Sequence, residues 1–225
     1  MDKPHTISET QRKQDFYLGL YFIYLQPLVL LIDAGSFQMG SILWVCHHAP
    51  LLFGLSFLFH KYNIAWAVCL VSFIPQLIWM IDFFVMLLFN IDLWGYTFYM
   101  FQIDTHDVMD ITFFLEHAVS VIFHLFVANI ALIFLLRRKI LNIYGIVIAL
   151  IYIGILYVLT ILFVDRNYYE NTNCVYENCA FSIFDILPDY VYFLIWPLLV
   201  MILAVIPTYI LVKLWYKIWG ILLNM

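Results

Sequence analysis

Charge is the scarcest commodity in this chain. Asp, Glu, Lys and Arg make up only 11% of its 225 residues, against roughly a quarter in a soluble domain. A surface facing water cannot be covered from that supply. Lys and Arg together number 10, which leaves no basic surface for a nucleic-acid partner. With 4 cysteines, 8 glycines and 7 prolines, neither a dense disulfide scaffold nor a collagen-like or low-complexity chain can be built. No internal repeat or linker divides the sequence, so residues 1–225 read as one domain. What the chain has in abundance is apolar side chain, 66% of residues, with 20% aromatic. That balance predicts an all-α polytopic membrane protein.

A hydrocarbon core of about 30 Å asks for about 20 apolar residues per helix. Six stretches meet this, from Asp15 to Asp33, Ser41 to Phe59, Asn63 to Phe89, Ile111 to Leu136, Ile140 to Val164 and Pro188 to Trp215. Long continuous runs of this kind argue against a transmembrane barrel, whose strands alternate over about ten residues. The expectation is a bundle of six transmembrane helices. Lys3, Arg12, Lys13, Lys61, Arg137, Arg138, Lys139, Lys213 and Lys217 then share one side, and only Arg166 lies opposite. By the positive-inside rule both termini are cytoplasmic, and the expected location is the cell membrane. No cleavable signal peptide is expected, because the first apolar run follows a polar segment and lacks an A-x-A-like site.

The other face gathers acids, among them Asp33, Asp92, Asp104, Asp107, Asp110, Asp165, Glu170, Glu177 and Asp185. Cys174 and Cys179 lie in its last loop, where an oxidising compartment permits a disulfide but the spacing alone does not require one. Cys46 and Cys69 fall inside spans and read as small packing residues. The aromatic loop from Asn90 to Asp110 is expected to lie in the outer interface. Its end, Asp104-Thr105-His106-Asp107 with Asp110, offers hard metal ligands, or acids that cap the next helix.

Ionisable groups inside apolar spans are expensive, so each is a candidate for function. His47 and His48 precede Pro50 on span two; Pro75, Gln76, Trp79 and Asp82 lie on span three; Glu116, His117, Ser120, His124 and Asn129 lie on span four. At about 1.5 Å per residue, His47, His48, Asp82, Glu116 and His117 fall at one depth in the outer half, with His124 nearer the midplane. His117, Ser120 and His124 share one helix stripe, whereas His47 and His48 point about 100° apart. Packing alone accounts for Gln76, Ser120, Asn129 and Trp79.

Three chemistries use such a set. A histidine oriented by Asp82 or Glu116 can activate water or a hydroxyl toward a lipid ester. Histidines and carboxylates can hold a metal, or the cluster can pass protons or cations or ligate haem. No G-x-S-x-G marks a nucleophile, and Thr112, Ser120 and Cys46 are the candidates. The residues do not decide whether a metal or other cofactor is present.

His47-His48-Ala49-Pro50-Leu51-Leu52, Pro75-Gln76 with Trp79 and Asp82, Glu116-His117 and Asn171-Thr172-Asn173 resemble marks of an uncharacterised family of six-span prokaryotic integral membrane proteins. In layout the chain is similar to membrane lipid hydrolases of the androgen-induced-protein type and related six-span acyl-transfer proteins. That resemblance implies a Thr and His pair acting on lipid esters, with His117 or His124 as the histidine; no specific Thr is aligned. The expected function is therefore hydrolysis or acyl transfer on a lipid-like substrate, with membrane lipids as partners. His47, His48, Asp82, Glu116, His117 and His124 are the expected catalytic set. The alternative is a transporter or binding protein for a cation or small solute.

Overall fold

A computed structural model describes residues 8–33, 43, 45–91, 93–94, 111–164, 174–176, 184 and 186–223, with side chains at 8–28, 43, 45–91, 93–94, 119–164, 174–176, 184 and 186–218. No strand occurs among the described residues. The helices are α1 (Glu9–Asp33), α2 (Val45–Leu58), α3 (Tyr62–Phe89), α4 (Ile111–Arg137), α5 (Tyr144–Phe163), α6 (Asp189–Val200) and α7 (Ile206–Leu223). A π-helical segment, Met201–Val205, joins α6 to α7. Among the described residues, α3, α4, α5 and the continuous run from α6 into α7 are long and apolar enough to cross a membrane, and α2 is a shorter apolar helix.

The first helix begins six residues before the stretch expected from hydropathy, and the cause is a capping box. Ser8 N–H donates to Gln11 Oε1 at 3.0 Å and Gln11 N–H donates to Ser8 Oγ at 3.2 Å, satisfying two donors that a helix start leaves open. The polar turns around Arg12 therefore stand on the same helix as the apolar ones.

α3 is the central helix. Every residue from Ala65 to Ser72 is buried, so helices cover it on all sides rather than along one stripe. α1 and α2 approach backbone to backbone at Gly19 and Gly54: a Cβ on Gly54 would sit 2.7 Å from Ile23 Cγ1 and 2.9 Å from the Gly19 carbonyl oxygen. Small residues permit this closeness, which in lipid supplies dispersion contacts that larger side chains would prevent. Gly54→Val should push the pair apart and cost about 1–3 kcal/mol, read as a lowered unfolding midpoint in micelles. An unchanged midpoint would show that α1 can shift without loss.

Prolines interrupt several helices, and side chains repair the damage. Pro197 has no N–H for the carbonyl of Phe193, and the Tyr157 hydroxyl donates to that oxygen at 3.2 Å. Beside Pro50 the turn between His47 and Leu51 is bridged by Gln26, whose Nε2 donates to the His47 carbonyl at 2.8 Å while its Oε1 accepts from Leu51 N–H at 3.1 Å. An amide inserted into the ladder in this way opens α2 where the histidines sit.

Arg12, Lys13, Lys61 and Arg138 gather at one end of the bundle, around a buried ion cluster. Asp15 of α1 is 0% exposed. It accepts from Arg138 Nη2 at 2.7 Å and from the Tyr62 hydroxyl, and His60 Nδ1 lies 3.3 Å from its second oxygen. Arg138 also donates to the carbonyl of Gln11 at 3.2 Å. One carboxylate thus joins the start of α1, the turn between α2 and α3, and the end of α4.

Candidate functional site

About 20 Å from that end, by the rise from Leu58 back to Cys46 and from Arg137 back to His124, polar side chains meet a cavity of about 240 Å3. Its walls are mostly aliphatic and aromatic, with Val71, Ile78, Trp79, Leu156 and Trp196 among them. Cys46, Gln76 and His124 supply polar groups, and Cys174 reaches it from the loop after α5. Pro75 bends α3 at this wall, and the π segment brings Leu203 and Ala204 to the opposite one. Single π turns are frequent where a helix lines a site.

Cys46 is the centre of the polar group. It shares the cavity wall with His124 of α4, and His47 follows it on α2. The His124 ring is fixed from two directions. Its Nδ1 lies 2.8 Å from the carbonyl oxygen of Ser120, one turn earlier on α4, and its face stacks on Trp79 of α3 at 4.1 Å and 15°. A carbonyl can only accept, so Nδ1 carries the hydrogen and Nε2 is left to receive a proton from the thiol. Trp79 in turn stacks on Phe83 at 5.4 Å. An imidazolium formed on His124 would lie against an indole face, a favourable place for positive charge.

The other expected site residues are distributed as follows. His48 pairs with the Tyr152 hydroxyl of α5 at 2.5 Å, so both neighbouring histidines reach inward although they leave α2 in different directions. Asp82 is buried and accepts from the backbone N–H groups of Leu93 at 3.3 Å and Trp94 at 3.0 Å; these bonds tie down the chain after α3 and are not bonds to an imidazole. Glu116 and His117 lie on α4, but their side chains are outside the described residues, as are Thr112, the Asp104 to Asp110 cluster and Cys179. Among the described residues, no three of His, Cys, Asp and Glu are grouped to hold a metal ion.

Gln76 and Asn129 have the structural roles expected of them. Gln76 Oε1 accepts from Ala128 N–H of α4 at 3.3 Å, and Asn129 Nδ2 donates to the Leu125 carbonyl at 2.7 Å. Cys69 is fully buried in the core, whereas Cys46, expected either to pack or to serve as a nucleophile, sits at the cavity wall with His124. Cys174 is disulfide-bonded, and Cys46 and Cys69 are free. Two signals in the sequence pointed to Cys46: its place directly before His47-His48, and Pro50 four residues on, which releases the Cys46 carbonyl from its helix bond.

The chain matches no family model, no curated protein and no solved structure.

Proposed function

We propose that the chain is a six-span helical bundle of the cell membrane, with both termini cytoplasmic, that performs acyl transfer or hydrolysis on a lipid-like ester with Cys46 as nucleophile. The observation that carries this reading is a free thiol sharing the wall of a largely apolar cavity with the restrained imidazole of His124. Nε2 of His124 takes the thiol proton, and the thiolate attacks the ester carbonyl carbon, forming a C–S bond. As the C–O bond breaks, His124 returns the proton to the departing alcohol. Water or a second hydroxyl then attacks the thioester carbonyl carbon while His124 accepts its proton; a C–O bond forms, the C–S bond breaks to release the acid or new ester, and His124 returns the proton to the departing thiolate.

The cavity walls suit an acyl chain, because apolar surface binds a chain without specifying its end and the few polar groups orient the carbonyl. Its volume exceeds the roughly 150 Å3 that accommodates a benzene ring, enough for a short run of methylenes and not for a whole diacyl lipid. α1 has 25 residues, and α2 runs back beside it to the end where His60 meets Asp15.

A second reading rests on Cys174, whose disulfide lines the same cavity. The Cys46 thiolate could attack Cys174 Sγ, forming one S–S bond as the existing one breaks and its partner leaves as a thiolate. One experiment separates the two. The purified chain in micelles is exposed to an octanoyl p-nitrophenyl ester, then measured by intact mass and by peptide mapping without reductant. An octanoyl adduct on Cys46, absent from Cys46→Ala and strongly reduced in His124→Ala, supports acyl transfer. A Cys46–Cys174 link without acylation would replace it with thiol exchange, and an unmodified Cys46 would remove both.

A further inference from the structure

At the opposite end of the bundle a second cavity, of about 360 Å3, opens between α1 and the turn that joins α2 to α3. It is separate from the cysteine cavity and owes nothing to the chemistry proposed there. Arg12, Lys13 and His60 line it together with Glu9, and Phe16, Tyr17 and Leu58 form its apolar side. Glu9, the sole carboxylate in the lining, is already occupied by Lys13 at 2.9 Å. Arg12 is exposed and has no side-chain partner among the described residues.

His60 is aimed by unusual backbone geometry. It has φ 54 and is the left-handed residue of a helix-ending turn in which Lys61 N–H donates to Ser56 O at 2.7 Å and His60 N–H to Phe57 O at 3.2 Å. Glycine normally takes this position, because a side chain there costs about 1–2 kcal/mol. The imidazole offsets that cost through its own bonds. Nδ1 faces the buried Asp15 carboxylate and the Tyr62 hydroxyl, both at 3.3 Å, which leaves Nε2 as the nitrogen turned toward the opening. The side chain is 32% exposed.

We propose that this cavity is a headgroup site for an anionic phospholipid of the cytoplasmic leaflet. A phosphodiester accepts hydrogen bonds and carries one negative charge, which suits a pocket offering a guanidinium and an ammonium. The apolar side distinguishes a lipid from a soluble phosphate. Phe16 is 52% exposed and Tyr17 69% exposed. They follow Arg12 and Lys13 by one helical turn toward the apolar part of α1, where the acyl chains attached to a bound headgroup would run. Basic pockets between helices on this side of a membrane commonly hold such lipids.

The test uses the full chain in neutral micelles, titrated separately with phosphatidylglycerol, phosphatidylcholine and inorganic phosphate, with bound lipid counted by native mass spectrometry. The site predicts at least tenfold tighter retention of phosphatidylglycerol than of phosphatidylcholine, and no competition from millimolar phosphate. Arg12→Gln with Lys13→Gln, both on the exposed first turns of α1, should abolish the preference. Lys213→Gln with Lys217→Gln, at the same end but outside the cavity, should leave it intact. Equal retention of the two lipids overturns the proposal, as does a preference that survives the first pair of substitutions or fails equally with the second. Full displacement by free phosphate would make this a soluble-anion site and overturn the lipid assignment.

Discussion

Replacement of Cys46 by Ala should abolish ester turnover while leaving the thermal midpoint of the protein within about 2 °C of the parent, since only a sulfur at a cavity wall is removed. Of the other described cysteines, Cys69 is enclosed in the core and Cys174 is committed to a disulfide. His124→Ala should retain the thiol but lose its proton acceptor, lowering kcat by about 10²–10⁴, the range for a positioned general base. His47→Ala should cost less. Ser120 and Trp79 hold the His124 ring from two directions, and orientation is a large part of what a base contributes. Trp79→Leu should fall between, by loosening the His124 ring without removing it. The measurement is release of p-nitrophenol from a medium-chain ester by each purified variant, with unfolding midpoints in parallel. Equal rates for the parent and Cys46→Ala would exclude thiol catalysis.

The largest effect on stability should come from Asp15→Leu, about 3–5 kcal/mol, because it strands a charge. Arg138 is only 8% exposed at its side chain, and without the carboxylate its guanidinium has lost its counter-ion in a place water scarcely reaches. The Tyr62 hydroxyl and the His60 ring lose their acceptor in the same step. Pairing Asp15→Leu with Arg138→Met should recover most of the loss, since replacing both partners of a buried ion pair by apolar groups is often neutral. Unfolding of the single and double variants by denaturant in micelles gives the coupling between the two positions. A single variant as stable as the parent would mean that the cluster does not hold α1 to α4. Ester turnover should be unaffected in molecules that remain folded, because the cluster lies about 20 Å from Cys46 along the helices.

Helix placement was readable from the residues because its cause is local. Long apolar runs, cations at the turns and a Ser8 to Gln11 capping box act within a few positions of one another, and the helices start and stop close to where those signals lie. A position along a helix converts to depth through the rise per residue, and Cys46 and His124 line one cavity. Glu9–Asp33 exceeds its hydropathic run because capping, not apolarity, sets where a helix begins.

Partner choice was decided elsewhere. Whether His48 meets Asp82 or Tyr152, and whether Cys46 is packing or a nucleophile, depends on how far each helix is rotated about its axis and how closely neighbours approach. That rotation is set by contacts such as Gly19 against Gly54 and Trp66 against Gly145, none of which has a local signature. Asp15 and Arg138 are 123 positions apart, and each alone looks like an ordinary charge at the end of a span. Composition and hydropathy determined an all-helical chain with apolar spans and one basic end, since a low supply of charge admits few other solutions. Tertiary packing decided which thiol, imidazole and carboxylate became neighbours, because a side chain's pairing energy exists only once two helices have fixed their mutual angle and distance.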